Sequence, residues 1–271
     1  MIKQAIIPLA GLGTRLLPLT SVFAKELLPI NGRPGIEYIL DECLMAGIKE
    51  IVFIISTKKI MIKKYFNSDK FYKNIIKKKK DPRIINEYKK ILKYKNKIKF
   101  VFQNIPKGTG DAVLKTQKFI KNNYFLMLLP DDLIIKKNCS KAMIKVHKKY
   151  NASVMASMKV KKNNVSRWGI YKINKKLDKR NFIIEGVIEK PTVKNAPSNN
   201  AVIGRYILPR SIFNKIKSLK PKRGKEVHIT DAIQLLINDK ERFIAHNFEG
   251  KYLDCGTMNG YINSSIEIGK L

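Results

Sequence analysis

Leu9-Ala10-Gly11-Leu12-Gly13-Thr14-Arg15 directly follows an apolar run near the amino end of the chain, and its residue types suit an anionic ligand. Two glycines let the backbone approach a triphosphate closely, and Arg15 supplies a cation of fixed shape. Ten residues later, Ala24-Lys25-Glu26-Leu27-Leu28-Pro29 offers a second cation, Lys25. A dinucleotide-binding fingerprint would require a third glycine where the chain has Leu16, and a phosphate-binding P-loop would close on Gly-Lys-Ser/Thr. Neither pattern is present, and a plain structural turn accounts for an isolated Gly-x-Gly pair as well as a ligand does. Asp131 and Asp254 are the acidic candidates. Either could close a turn, but a carboxylate just past a buried strand can also take a magnesium ion, which keeps several waters and prefers one or two carboxylates plus substrate phosphates. Glu189-Lys190 reads as a solvated surface pair or as a phosphate-binding cation beside an acceptor for hydroxyl groups. His147, His228 and His246 lack ligand spacing, and no obvious Ser-His or Cys-His pair offers a nucleophile.

These residues need a frame. Ala5 to Ala10, Ile51 to Ile55, Ile98 to Phe102 and Tyr124 to Leu129 are short apolar runs that predict buried strands. Gly35 to Ala46, Gly110 to Ile120 and Ser140 to Tyr150 carry apolar residues at helical spacing, so the first half reads as βαβ units around a mostly parallel sheet. In such a sheet, ligands bind at loops on the carboxyl ends of the strands, where Gly11 to Arg15 and Asp131 fall. Trp168 to Ile173, Phe182 to Glu189 and Ala201 to Leu208 predict strands that extend the sheet, and Ile212 to Leu219, Ile229 to Ile237 and Met258 to Ile268 predict helices. The lysine-rich stretch from Lys58 to Lys97 has helical spacing interrupted at Asp81-Pro82-Arg83, which predicts a solvated helical excursion on the surface.

With 271 residues and 44% hydrophobic residues the chain can bury a substantial single core. No apolar run is long enough to cross a bilayer, and Pro8 with the glycine loop behind it makes the opening residues a first strand rather than a leader. Three widely spaced cysteines, Cys43, Cys139 and Cys255, form no Cys-x-x-Cys pair and suit a reducing cytosol, so a cytoplasmic location is expected. The formal charge of +34 invites a nucleic-acid reading. However, it comes from 46 lysines and only nine arginines, scattered along the chain. Readers of bases and phosphates concentrate the bidentate arginine fork on one face, so neither a nucleic-acid nor a membrane partner is expected.

Taken together, Gly-x-Gly-Thr-Arg at Gly11 to Arg15, Lys-Glu-Leu-Leu-Pro from Lys25 and Arg33-Pro34 before a helix resemble the sugar-1-phosphate nucleotidyltransferases. The resemblance narrows to the bacterial UTP–glucose-1-phosphate uridylyltransferases. Its further motifs are Gln103 to Ala112, Leu129-Pro130-Asp131-Asp132, Trp168-Gly169-Ile170, Val187-Ile188-Glu189-Lys190-Pro191, Ala196 to Asn199, Ile203-Gly204-Arg205-Tyr206, Glu226 to Ile233 and Asp254-Cys255-Gly256. They occur in the family's order over nearly the whole chain. Ala24, Asp111 and Lys225 are departures, standing where the family usually has proline, histidine and, in many members, aspartate.

The resemblance implies an α/β fold of the nucleotide-diphospho-sugar transferase type, a Rossmann-like, mostly parallel mixed sheet flanked by helices. It implies one domain, with residues 1–150 as the nucleotide-binding half and 151–271 as the sugar-phosphate half with the C-terminal helices. UTP and glucose 1-phosphate would give UDP-glucose and pyrophosphate with Mg²⁺ as cofactor, in a homo-oligomer. Nucleotide binding would fall to Ala10, Gly11, Gly13, Thr14, Arg15, Lys25, Gln103 and Gly108, and sugar-phosphate binding to Gly169, Glu189 and Lys190. Arg15, Lys25 and Lys190 would be the catalytic cations, and Asp131 and Asp254 the metal ligands. The nearest rival is a thymidylyltransferase acting on the same sugar phosphate, from which the Gln103 to Ala112 segment and the Asp-Cys-Gly ending point away.

Overall fold

Ala5-Ile6-Ile7 reads as an unbroken apolar run because its strand is buried on both faces: Ala5 and Ile7 belong to one core cluster and Ile6 to another. Alternate residues of a strand point to opposite faces, and helices cover both sides of the sheet. The computed structural model describes residues 2–219 and 226–271. The departure at Lys225 lies outside the described residues.

In chain order the elements begin with β1 (Gln4–Pro8), the small hairpin β2 (Pro29–Ile30) and β3 (Arg33–Pro34), α1 (Gly35–Met45), β4 (Glu50–Ile55), α2 (Ile60–Phe66), α3 (Asp69–Lys79), α4 (Pro82–Lys95) and β5 (Ile98–Phe102). Next come α5 (Thr109–Leu114), β6 (Tyr124–Leu128), β7 (Asp132–Ile135), α6 (Cys139–Tyr150), β8 (Ser153–Lys159), β9 (Gly169–Lys176), β10 (Asn181–Glu189) and β11 (Asn200–Pro209). The chain closes with α7 (Ile212–Ser218), α8 (Ile229–Asn238), β12 (Phe243–Asn247), β13 (Lys251–Asp254) and α9 (Met258–Gly269).

One nine-stranded sheet runs β5-β4-β1-β6-β11-β8-β12-β10-β9. The first four strands are parallel, as expected for βαβ units. β11 joins β6 and β8 antiparallel, so strands from both halves of the chain share the sheet. The order reverses at β1, which pairs with β4 on one side and β6 on the other. A crevice opens at such a switch point, and the loops after β1 and β6 carry Gly11 to Arg15 and Asp131. Residues of α1, α2, α6 and α9 pack on one face, those of α5, α7 and α8 on the other.

Several expectations need correction. Helix α5 ends at Leu114 rather than Ile120, because i→i−3 bonds from Thr116, Gln117 and Phe119 tighten the chain into turns, helped by the Thr116 hydroxyl on the Val113 carbonyl (2.7 Å). Strands β8 and β12 fall outside the runs read as strands. β8, Ser-Val-Met-Ala-Ser-Met-Lys, is poor in β-branched residues and buried over most of its length, so it shows no alternation. The lysine-rich excursion does form helices, broken where Asp81 caps α4 by accepting from Arg83 N (2.8 Å) with Pro82 at the first position. It is not solvated throughout: Lys59, Ile62, Phe66, Ile91 and Tyr94 are buried.

Candidate active site

Two neighbouring clefts meet at Asp131. The first, about 270 Å³, is walled by the ends of β1, β5 and β6 and includes Ala10, Gly11, Lys25, Gln103, Gly108 and Asp131. Arg15, Asp131, Asp132, Trp168, Lys190 and Asp254 line the second, about 420 Å³. Each cleft draws on both halves of the chain, since Glu226 reaches the first and Arg15 the second. Gly13, Thr14, Gly169 and Glu189 are in neither wall. Gly13 lies on the loop between the clefts, its carbonyl held by the Thr20 hydroxyl (2.9 Å). Gly169 pairs with Glu189 across β9 and β10.

Lys25 Nζ is 2.6 Å from Asp131 Oδ2, and Arg15 Nη2 is 3.5 Å from the same oxygen. Burial by itself would lower the Lys25 ammonium, but the charges of Asp131 and Glu26 outweigh it and the net direction is up. For Asp131 burial pushes upward, yet Lys25, by charge and hydrogen bond, takes the carboxyl below the usual range. The pair is therefore charged on both sides across neutral pH.

Asp254 reaches this place through a two-stranded ribbon. β13 runs antiparallel to β7 with Asp254 opposite Asp132, and Cys255 N donates to the Asp131 carbonyl (2.8 Å). A methyl group on Gly256 would lie 2.9 Å from Asp131 Oδ2, 3.0 Å from Arg15 Nη2 and 3.1 Å from Asp254 Oδ1. Two carboxylates and a guanidinium thus converge where only glycine leaves room. Two hard carboxylate oxygens facing a cleft, to be completed by phosphate oxygens and water, are the donor set a divalent magnesium-like ion takes, so these residues fit a metal held between protein and substrate. Among the described residues no group of three or more His, Cys, Asp or Glu side chains is placed to hold a metal ion by itself. Gly108, with φ 93°, forms the other narrow point, where an added Cβ would lie 2.4 Å from the Val227 carbonyl. Gly110 N donates to that carbonyl (2.8 Å), clamping the Gly108 turn on the segment before α8.

Three groups around the site were given no role from residue type and spacing, although two of them, Asp132 and Arg205, lie inside motifs of the resemblance. Lys59 Nζ bonds both oxygens of buried Glu26, 2.8 and 2.9 Å, fixing the residue beside Lys25. Asp132 accepts from Tyr252 Oη (2.6 Å) and Gly204 N (2.8 Å). Its carboxyl is pushed up to about 6 by burial and by the Asp131 charge. Beneath both aspartates lies Arg205, fully buried, whose guanidinium bonds the Leu129, Gly204 and Asp132 carbonyls at 3.1, 3.0 and 2.6 Å and pairs with Glu42 of α1 at 2.8 Å. Arg205→Ala is expected to destabilise the protein by about 3–5 kcal/mol, because Glu42 is left as an uncompensated buried charge. The midpoint of urea unfolding measures it, and an unchanged midpoint would mean that the pair contributes nothing.

With this geometry in view, the model of the nucleotidyl transferase family matches residues 4–270. The chain belongs to the nucleotidyl transferase family. It is 36% identical to a putative UTP–glucose-1-phosphate uridylyltransferase of Methanocaldococcus jannaschii, over 99% of this chain and 94% of that one. A UTP–glucose-1-phosphate uridylyltransferase of Streptococcus pyogenes is 38% identical over 98% of this chain and 88% of its own length. A crystal structure of UDP-glucose pyrophosphorylase complexed with UDP-glucose superposes with a TM-score of 0.86 at 34% identity, covering 100% of this chain and 99% of that one. The expected nucleotide-diphospho-sugar transferase fold is therefore present. No helix among the described residues is long and apolar enough to cross a membrane.

Proposed function

We propose that the protein makes UDP-glucose and pyrophosphate from UTP and α-D-glucose 1-phosphate. The observation that carries this reading is the position of Asp131 in the wall shared by both clefts, with Lys25 on one side and Arg15, Lys190 and Asp254 on the other. In the proposed complex the base and triphosphate of UTP occupy the first cleft, against Ala10, Gly11, Gln103 and Gly108, with Gly13 and Thr14 shaping the phosphate loop. The sugar phosphate occupies the second, with Lys190 on its phosphate and Glu189, beside Gly169, accepting from sugar hydroxyls.

The reaction in this reading is an in-line attack by a phosphate oxygen of the sugar phosphate on the α-phosphorus of UTP, with pyrophosphate leaving. The attacking oxygen is already anionic, so no protein base or nucleophile is required. The chain's part is to align two polyanions and to offset their repulsion with preorganised cations, Arg15, Lys25 and Lys190. Asp131 and Asp254 would hold Mg²⁺, which would supply charge neutralisation and orientation of the phosphates. Pyrophosphate release with glucose 1-phosphate tests the assignment, comparing UTP, dTTP and a reaction without metal. Metal-dependent release favouring UTP is expected, a preference for dTTP would move the assignment to a thymidylyltransferase, and silence with both would overturn it.

A further inference from the structure

Gln103 directly follows β5 in the wall of the first cleft with 5% of its surface exposed, and its side-chain amide is tied on one side only. Nε2 donates to Asp111 Oδ2 at 2.7 Å and to the Gly108 carbonyl at 3.2 Å. A backbone carbonyl can only accept, and so can a carboxylate, so both partners require the NH₂ end and the amide cannot be turned over without facing oxygen to oxygen. Among the described residues nothing donates to Gln103 Oε1. Asp111 is held in turn on the first turn of α5, with Lys115 Nζ 4.0 Å away.

We propose that Asp111 is a specificity-determining positioning residue: by fixing the Gln103 amide it leaves Oε1 as a committed acceptor toward the base, so the cleft takes a pyrimidine that presents an imide N–H and rejects cytosine. This rests on the reading that the first cleft holds the base of UTP. Uracil carries a hydrogen on N3, which Oε1 can accept. Cytosine carries a lone pair there, so Oε1 and N3 would oppose each other with neither paired, and a site built for a hydrogen bond discriminates strongly against a partner that cannot make it. Asp111 does not touch the base. It acts through Gln103, and a purely structural aspartate at a helix start would affect stability without altering the choice of base.

The test compares UTP and CTP, by titration calorimetry and by kcat/KM with glucose 1-phosphate, in the wild type, Asp111→Asn and Asp111→Ala. The wild type should prefer UTP by at least ~10²-fold. Asp111→Asn keeps the shape but can donate as well as accept, and Asp111→Ala removes the shorter of the two ties, so in both variants only the 3.2 Å bond to the Gly108 carbonyl still holds the amide and the turned-over orientation becomes accessible. Both should reduce the UTP:CTP ratio about tenfold, while the KM for glucose 1-phosphate and the melting temperature stay close to wild type. In a Gln103→Ala background the Asp111 changes should alter the ratio less than about twofold, since a residue acting through Gln103 has nothing left to position. A UTP:CTP ratio within about twofold of wild type in both folded variants, with wild-type activity intact, would overturn the proposal alone. A wild type that binds no UTP would overturn the functional reading with it.

Discussion

Asp131→Asn is expected to lower turnover with UTP and glucose 1-phosphate at least ~10²-fold in a protein that still folds. Asp131 Oδ2 is the common partner of Lys25 at 2.6 Å and of Arg15 at 3.5 Å, and it faces Asp254 across the Gly256 turn. Asparagine keeps the volume but removes the charge, which loosens both cations and takes away half of the proposed metal donor set. Two readouts separate these effects. The magnesium concentration for half-maximal rate should rise, since one carboxylate of two is gone. The alkaline limb of the pH profile should also move to lower pH. Burial is the largest influence on Lys25 and acts downward, and in the wild type Asp131 is the first of the groups that reverse it. With Asp131 neutral the ammonium loses its proton earlier as pH rises, so the variant's defect should deepen toward alkaline pH. Near-normal turnover and an unmoved limb in folded Asp131→Asn would remove the residue from the mechanism.

Lys190→Ala should have a comparable effect, a loss in kcat of at least ~10²-fold with a raised KM for glucose 1-phosphate and unchanged UTP binding. The residue sits just past the end of β10, exposed, at φ 45°, with its N–H donated to the Trp168 carbonyl at 3.0 Å. A lysine in the left-handed region costs of order 1–3 kcal/mol, and here the backbone bond to Trp168 helps hold it. Its ammonium makes no ion pair among the described residues, whereas Lys25 and Arg15 are both engaged by Asp131, so Lys190, like Arg167 in the same wall, is free to meet an incoming phosphate in the second cleft. Lys190→Arg should recover part of the rate and Lys190→Gly none, because glycine relaxes the backbone without supplying charge. Recovery by glycine would show that backbone strain, and not the cation, matters at this position.

The local parts of this protein are legible in its residue order. Gly11 to Arg15 follows an apolar run, and so does Asp131, because the loops at the ends of parallel strands are short and keep chain order next to the strands they leave. The alternation of buried runs with helical spacing therefore pointed to the sheet, to its carboxyl edge and to the residues on it. Asp81-Pro82 likewise marked the break in the lysine-rich helices, since a cap is an interaction among near neighbours. The resemblance in motif order added the nucleotidyl transferase family, which the match over residues 4–270 bears out.

Which charges meet depends on the folded chain. Asp254 comes opposite Asp132 through the register of β13 on β7, a ribbon too short to leave a pattern. Lys59, one lysine among dozens, is buried on Glu26, and Arg205 disappears beneath the Leu129 to Asp132 turn. Asp111, a departure with no role legible in the sequence, fixes the face that Gln103 shows to the cleft. Each depends on burial and on partners far away in the chain. The ionic state and hydrogen-bonding direction of a side chain are set by what surrounds it in space, and residue type and spacing alone do not carry that information.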